Sequence, residues 1–174
     1  MVERLDKWRS GYERFLEWVV IVLMVVLAAE VLLGILFRSI GRSLVWYDEV
    51  AVILLAWLTF YGSALAALKR AHIGFPGLVN SLKPAVRVPV VVIGEILIFA
   101  FFVLFGWMGF SILDVLATDH LVSLSSVSVA WTQSVVPISA VLILIAQALN
   151  FPQVLEEARR GGAAQTSDLA EMTH

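Results

Sequence analysis

WVVIVLMVVLAAEVLLGILF, residues 18–37, holds a single charged side chain, Glu30, among aliphatic neighbours. A helix rises 1.5 Å per residue and needs about 20 residues to cross roughly 30 Å of hydrocarbon. This stretch therefore predicts a transmembrane helix. Three further blocks read the same way: residues 50–68 with no charge, 88–116 interrupted by Glu95 and Asp114, and 129–148 with Gln133, Pro137 and Gln147. Inside lipid each segment must satisfy its own backbone amides, which only a helix does for an isolated block. Pro137 should bend the fourth helix where it sits. The predicted class is an all-α membrane protein with four transmembrane helices.

Composition agrees. Of 174 residues 60% are hydrophobic and 15% charged, against about a quarter charged in a soluble domain. That excludes a disordered chain and argues against a soluble enzyme with one buried core. The absence of cysteine removes disulfides, thiolate metal sites and a cysteine nucleophile. A net charge of −2 leaves no footprint for nucleic acid.

The basic residues predict the orientation. Arg4, Lys7, Arg9 and Arg14 precede the first span, Lys69, Arg70, Lys83 and Arg87 lie between the second and third, and Arg159 and Arg160 follow the fourth. Only Arg38 and Arg42 lie on the other side. The positive-inside rule then puts both termini and the middle loop in the cytoplasm. Trp18, Trp46 and Trp131 fall at predicted span ends, where an indole keeps its N–H wet. The first block is longer than a signal-peptide core and lacks an Ala-x-Ala site before Arg38, so it reads as an uncleaved helix.

Outside the spans, residues 1–17 place Val2, Leu5, Trp8, Tyr12, Phe15 and Leu16 near a helical period, predicting an amphipathic helix along the cytoplasmic surface. Residues 71–87, with Pro76 and Pro84, suggest a short interfacial helix or re-entrant corner. The membrane domain spans 18–149, and residues 150–174 read as a largely disordered cytoplasmic tail. No internal repeat of the kind carriers use is visible.

Glu30 is the costliest side chain in the sequence, because a carboxylate at that depth must be protonated or paired. It reads as an inter-helix anchor, with the Trp57 N–H, the Thr59 hydroxyl and Gln133 at similar depth, in preference to an ion site. Glu95 lies nearer the cytoplasmic end, level with Tyr61, and takes a structural reading too. His72, beside Lys69 and Arg70, has no second ligand at metal spacing and reads as a headgroup or helix-end contact. Ser123, Ser125, Ser126 and Ser128 lack a nucleophile motif and look like a polar, flexible connection. Ala56, Thr59, Ser63, Ala66 and Ala67 give the second span a small-residue face for another helix, in this chain or a partner. No catalytic, cofactor-binding or metal residue is expected, and membrane lipid is the implied surrounding.

Residues 38–73 carry a family pattern: Arg38, then Ser43, Leu44, Trp46 and Glu49, then Trp57, Leu58, Phe60 and Gly62, then Arg70, His72 and Ile73. With Trp131 and Pro137 further on, the order and spacing resemble the DctQ-like small membrane subunit of tripartite ATP-independent periplasmic (TRAP) transporters. One departure is the apolar, proline-bearing run 74–82, where the family often has a more basic amphipathic stretch. The resemblance implies a bacterial inner-membrane subunit that is not an enzyme. It would support a large carrier subunit importing an organic acid with sodium ions, delivered by a periplasmic substrate-binding protein. Interface or structural candidates are Glu30, Arg38, Trp46, Glu49, Trp57, Gly62, Ser63, Arg70, His72, Glu95, Trp131 and Pro137. Trp46 and Glu49 share a face at a helix start, which suits either a dipole-favoured cap or an inter-subunit contact. The rival readings are a homodimeric proton-coupled exporter using Glu30 and a small membrane enzyme acting on lipid.

Overall fold

The computed structural model describes residues 2–71 and 82–160. These form α1 (Val2–Ser39), α2 (Tyr47–Leu68), α3 (Pro84–Leu116), α4 (Val129–Gln133) and α5 (Val135–Arg160). Four stretches are long and apolar enough to cross a membrane: Trp8–Ser39, Tyr47–Leu68, Val86–Leu116 and Val129–Arg159. Among the described residues, β pairing is limited to one antiparallel bridge between His120 and Ser128. Most of the 71–87 segment and residues 161–174 of the tail lie outside the described residues.

Local chemistry sets the helix ends. At the end of α1 the Arg42 N–H donates to the Phe37 carbonyl at 2.9 Å and the Gly41 N–H to Arg38 at 3.1 Å. That is a Schellman closure, and Gly41 takes the left-handed residue at φ 75° without steric cost. α2 closes in the same way, Ala71 N–H to Ala66 carbonyl at 2.9 Å and Arg70 N–H to Ala67 at 3.2 Å. Here the left-handed residue is Arg70, φ 54°. α3 starts with Pro84 in its first turn, where a missing N–H costs nothing.

In space the helices follow the order α1, α2, α5, α3, with α4 against α3. Lys69, after α2, meets Glu13 and Glu17 near the start of α1, so these two helices run antiparallel. Arg70 meets Glu157 near the end of α5, so α2 and α5 run parallel in the middle. The core gathers toward this end, around Leu16, Ala64, Ala67, Leu68, Ile143 and Ala146. Alanines on facing helices permit the close approach that association in lipid favours. α1 meets α2 closely at Gly34, where a Cβ would overlap the Tyr47 ring. α3 meets α5 at Gly106 and Gly109, whose added Cβ atoms would lie 3.1 Å from Ala140 Cβ and 2.8 Å from Val136 Cγ1.

Three expectations need adjusting. Residues 2–17 are helical but continuous with the first span. Tyr12 and Leu16 pack into the core, and the Tyr12 hydroxyl donates to the Leu142 carbonyl at 2.7 Å. The interruption of the fourth span falls at Ser134, one residue between α4 and α5, and not at Pro137 itself. Pro137 cannot donate to the Gln133 carbonyl and its ring presses on it, so the distortion appears up to a turn earlier. The last helix runs to Arg160, well beyond 148, because residues 150–158 carry buried contacts that the sequence reading assigned to a tail.

Gly109 and Gly94, both on α3, separate packing from propensity, since nothing lies within 4 Å of an added Cβ at Gly94. Gly109→Val should destabilise the purified chain by about 1–3 kcal/mol through overpacking. Gly94→Ala should be neutral or stabilising by up to about 1 kcal/mol. Thermal unfolding of the two variants in one detergent compares them directly.

Candidate functional site

Three polar clusters interrupt the apolar bundle. The first closes the end opposite the core. Glu49, in the first turn of α2, accepts the Val122 N–H at 2.9 Å and the Ser123 N–H at 2.8 Å. The Ser123 hydroxyl donates to the Val45 carbonyl at 3.1 Å. Within the loop, Leu121 N–H reaches Val127 at 3.0 Å, Val129 N–H reaches Asp119 at 2.9 Å, and Ser128 caps α4 by accepting the Ala130 N–H at 3.2 Å. The serine-rich connection is thus laced to itself and to α2. Both Glu49 oxygens are engaged inside the chain. Trp46 stands beside them at the start of α2, and Arg38 is exposed before the first turn.

The second cluster sits at mid-bundle. The Trp57 Nε1–H donates to the Thr132 carbonyl at 2.9 Å, and its ring stacks on Trp131 with centroids 5.4 Å apart. These contacts tie α2 to α4 just before the break at Ser134. Trp131 serves as that stacking partner while remaining exposed. Glu30 is 8% exposed, and among the described residues neither carboxylate oxygen has a hydrogen-bond partner. The partners expected for it are engaged elsewhere or face outward: Trp57 as above, the Thr59 hydroxyl on the Leu55 carbonyl at 2.8 Å, Gln133 exposed. None of the three pairs with Glu30 among the described residues. Trp57 bonds a carbonyl across the bundle and Thr59 one on its own helix.

The third cluster caps the core. Asn150 is 2% exposed, and its Nδ2 donates to the carbonyls of Ala67 at 2.9 Å and Leu68 at 3.1 Å, the last of α2. Arg9 reaches the Gln153 side chain at 3.1 Å and the Leu68 carbonyl at 3.5 Å. Arg70 forms a two-point pair with Glu157 at 2.6 and 2.9 Å, a geometry that suits guanidinium and carboxylate. Lys69 is held above the ordinary lysine range, chiefly by its hydrogen bond to Glu17 and then to Glu13. Glu95 lies half-buried in an open groove of about 460 Å³ between α3 and α5, with Phe99, Gln147 and Phe151. His72 lies outside the described residues.

Within α2 the small-residue face divides. Ala67 is buried against α5, Ser63 is half-buried with its hydroxyl on the Thr59 carbonyl at 2.8 Å, and Thr59 is exposed. A Cβ at Gly62 would meet nothing within 4 Å. Sequence reasoning missed Asn150, Gly34 and the Gly106–Gly109 pair. Of these Asn150 had the clearest signal, an amide one residue before Phe151-Pro152 at the end of an apolar run.

A family described as "Tripartite ATP-independent periplasmic transporters, DctQ component" matches residues 24–157. None of the curated proteins matches the chain.

The matched stretch includes Arg70, Asn150 and Glu157, and Arg70 allows two effects to be weighed. Its ion pair is partly exposed and worth about 0–1 kcal/mol. Its left-handed backbone costs a non-glycine residue about 1 kcal/mol. Arg70→Ala should therefore be less stable than Arg70→Gly by about 1 kcal/mol, although both lose the pair. Urea unfolding of the variants in detergent measures the gap.

Proposed function

The chain belongs to the DctQ family, the small membrane component of TRAP transporters, and from that premise we propose that it is the static frame of the carrier. Members of this family work with a large carrier subunit and a periplasmic substrate-binding protein. In our reading the binding protein delivers an organic acid, the large subunit moves it inward with sodium ions, and these helices brace the large subunit. The chain sits in the bacterial inner membrane with both termini cytoplasmic, following its charge map.

The observation that carries this reading is where the polar and apolar groups go. A carrier surrounds its solute with broken helices and convergent polar groups at mid-membrane. Here the hydroxyls of Thr59, Ser63, Ser111 and Ser139 each donate to a carbonyl of their own helix. They are consumed locally and line no route. The flanking helices instead turn large apolar side chains outward: Ile21, Val25 and Leu32 on α1, Phe101, Trp107 and Phe110 on α3. Such a surface suits lipid and a large hydrophobic neighbour. A frame needs that surface and a rigid interior, and the laced loop, the Trp57 latch and the capped end of α2 supply the rigidity. The ends of the outer loops, at Trp46–Glu49 and 120–128, lie where a docking binding protein would meet the frame.

Uptake by proteoliposomes with the large subunit and binding protein should fall severalfold when this chain is omitted; transport at the full rate without it would refute the frame. Gly62→Leu probes the contact more finely. It should leave the melting temperature of the isolated chain within a few degrees, since a Cβ there has nothing within 4 Å, yet reduce co-purification with the large subunit.

A further inference from the structure

We propose that the outward face near the start of α1, centred on Gly11 and Arg14 and flanked by Trp8, Phe15 and Trp18, is a binding site for an anionic phospholipid, whose phosphate pairs with the Arg14 guanidinium. The inference goes beyond the frame reading, because it concerns the chain's contact with its bilayer.

The two sides of this part of α1 carry opposite chemistry. Inward, Tyr12 and Leu16 join the core, Arg9 reaches Gln153 and the Leu68 carbonyl, and Glu13 and Glu17 hold Lys69. Outward, Trp8 is 76%, Phe15 54% and Trp18 67% exposed, and Gly11 and Arg14 are exposed between them. These five positions recur at steps of three and four, so they share one face. A helix lying flat on a membrane turns its charged side to water. Here the bundle consumes the acidic side, and the aromatic side with its arginine is left to the surroundings. Arg14 has no ion pair among the described residues. A Cβ at Gly11 would meet nothing within 4 Å, so this glycine leaves an open notch one turn from Trp8, Arg14 and Phe15. The contacts of Lys69 with Glu13 and Glu17 set the notch level with the charged residues that close α2. α1 is long enough to place it among headgroups: Trp8–Ser39 is 32 residues, roughly 48 Å, against about 40–45 Å for a bilayer with its polar layers. By helical spacing Arg4 and Lys7 fall on the same face and Glu3 at its edge, which leaves the face net basic. That charge complements an anionic headgroup, which basic residues beside a span attract. Arginine presents a planar fork of donors to phosphate, and flanking indoles suit headgroup depth. Further along α1, Ile21, Val22 and Val25 continue the exposed stripe as an apolar track for the acyl chains.

The full chain in nanodiscs of phosphatidylcholine with a minority of phosphatidylglycerol, both carrying the same acyl chains, tests the site. After transfer to a mild detergent, mass spectrometry of the lipid that stays bound should show phosphatidylglycerol enriched severalfold over its share. Arg14→Gln should lower that enrichment about fivefold. Gly11→Leu keeps the arginine but fills the notch, and should lower it too. Arg159→Gln removes another exposed arginine, on α5 at the same end, and should leave it unchanged. Gly11 and Arg14 are both exposed, so their variants should melt with wild type. Phosphatidylglycerol retained only at its bulk share overturns the proposal. So does an enrichment that either α1 variant leaves intact, and so does an equal loss in Arg159→Gln, which marks diffuse charge attraction in place of a site.

Discussion

The amide of Asn150 on the last two carbonyls of α2 is the contact on which the arrangement of the bundle rests. A helix ending in an apolar environment leaves carbonyls that water cannot reach, and each unsatisfied group costs several kcal/mol, on the order of 1–3 in measured proteins. α2 is the central helix, touching α1 on one side and α5 on the other. Its last residues, Ala67 and Leu68, are buried, so solvent does not serve their carbonyls. Asn150 brings donors from α5, and Arg9 brings another from α1. The three helices are thus registered by one set of carbonyls. The pairs Lys69–Glu17 and Arg70–Glu157 lie outside this seal and add direction more than strength, because they are exposed.

That arrangement explains which parts of the fold were legible in the sequence. The spans were, because the requirement for about 20 apolar residues is set by the bilayer and not by any neighbour. The polar anchors were not, because a side chain's partner depends on rotation about the helix axis, which depth alone leaves open. Trp57 and Thr59 were expected at the depth of Glu30, yet one bonds to Thr132 and the other to its own helix. The segment after Ala148 looked like a tail because its charges resemble solvated residues. Only the fold shows that Glu157 faces Arg70 and that Ala158 is buried. Pro137 announced a distortion and its cause correctly, but a proline acts on the preceding turn, so the break stands at Ser134.

The candidate residues divide along the same line. Glu49 was marked by its place in the first turn of α2, where the helix dipole favours a carboxylate, and nothing in the sequence said that the loop 120–128 would supply two N–H groups to it. Gly62 was marked by a family pattern and not by packing, and among the described residues nothing lies within 4 Å of a Cβ added there. A glycine preserved for its own fold would be expected to resemble Gly34 or Gly109, where a Cβ collides. One with open space in front of it suits a surface completed by another molecule.

Glu30 and Glu49 show two solutions to one problem. Both are carboxylates on helices long and apolar enough to span a membrane. Glu49 stands where a helix begins and a loop ends, so backbone N–H groups are in surplus, and it takes two of them. Glu30 stands inside α1, more than two turns from its end, where every backbone N–H already serves the carbonyl one turn back. No donor is left for it on its own helix, and one turn along α1 the ring of Tyr47 on α2 covers Gly34. The chemistry of the two side chains is identical, and their position relative to the helix ends decides which one finds backbone donors.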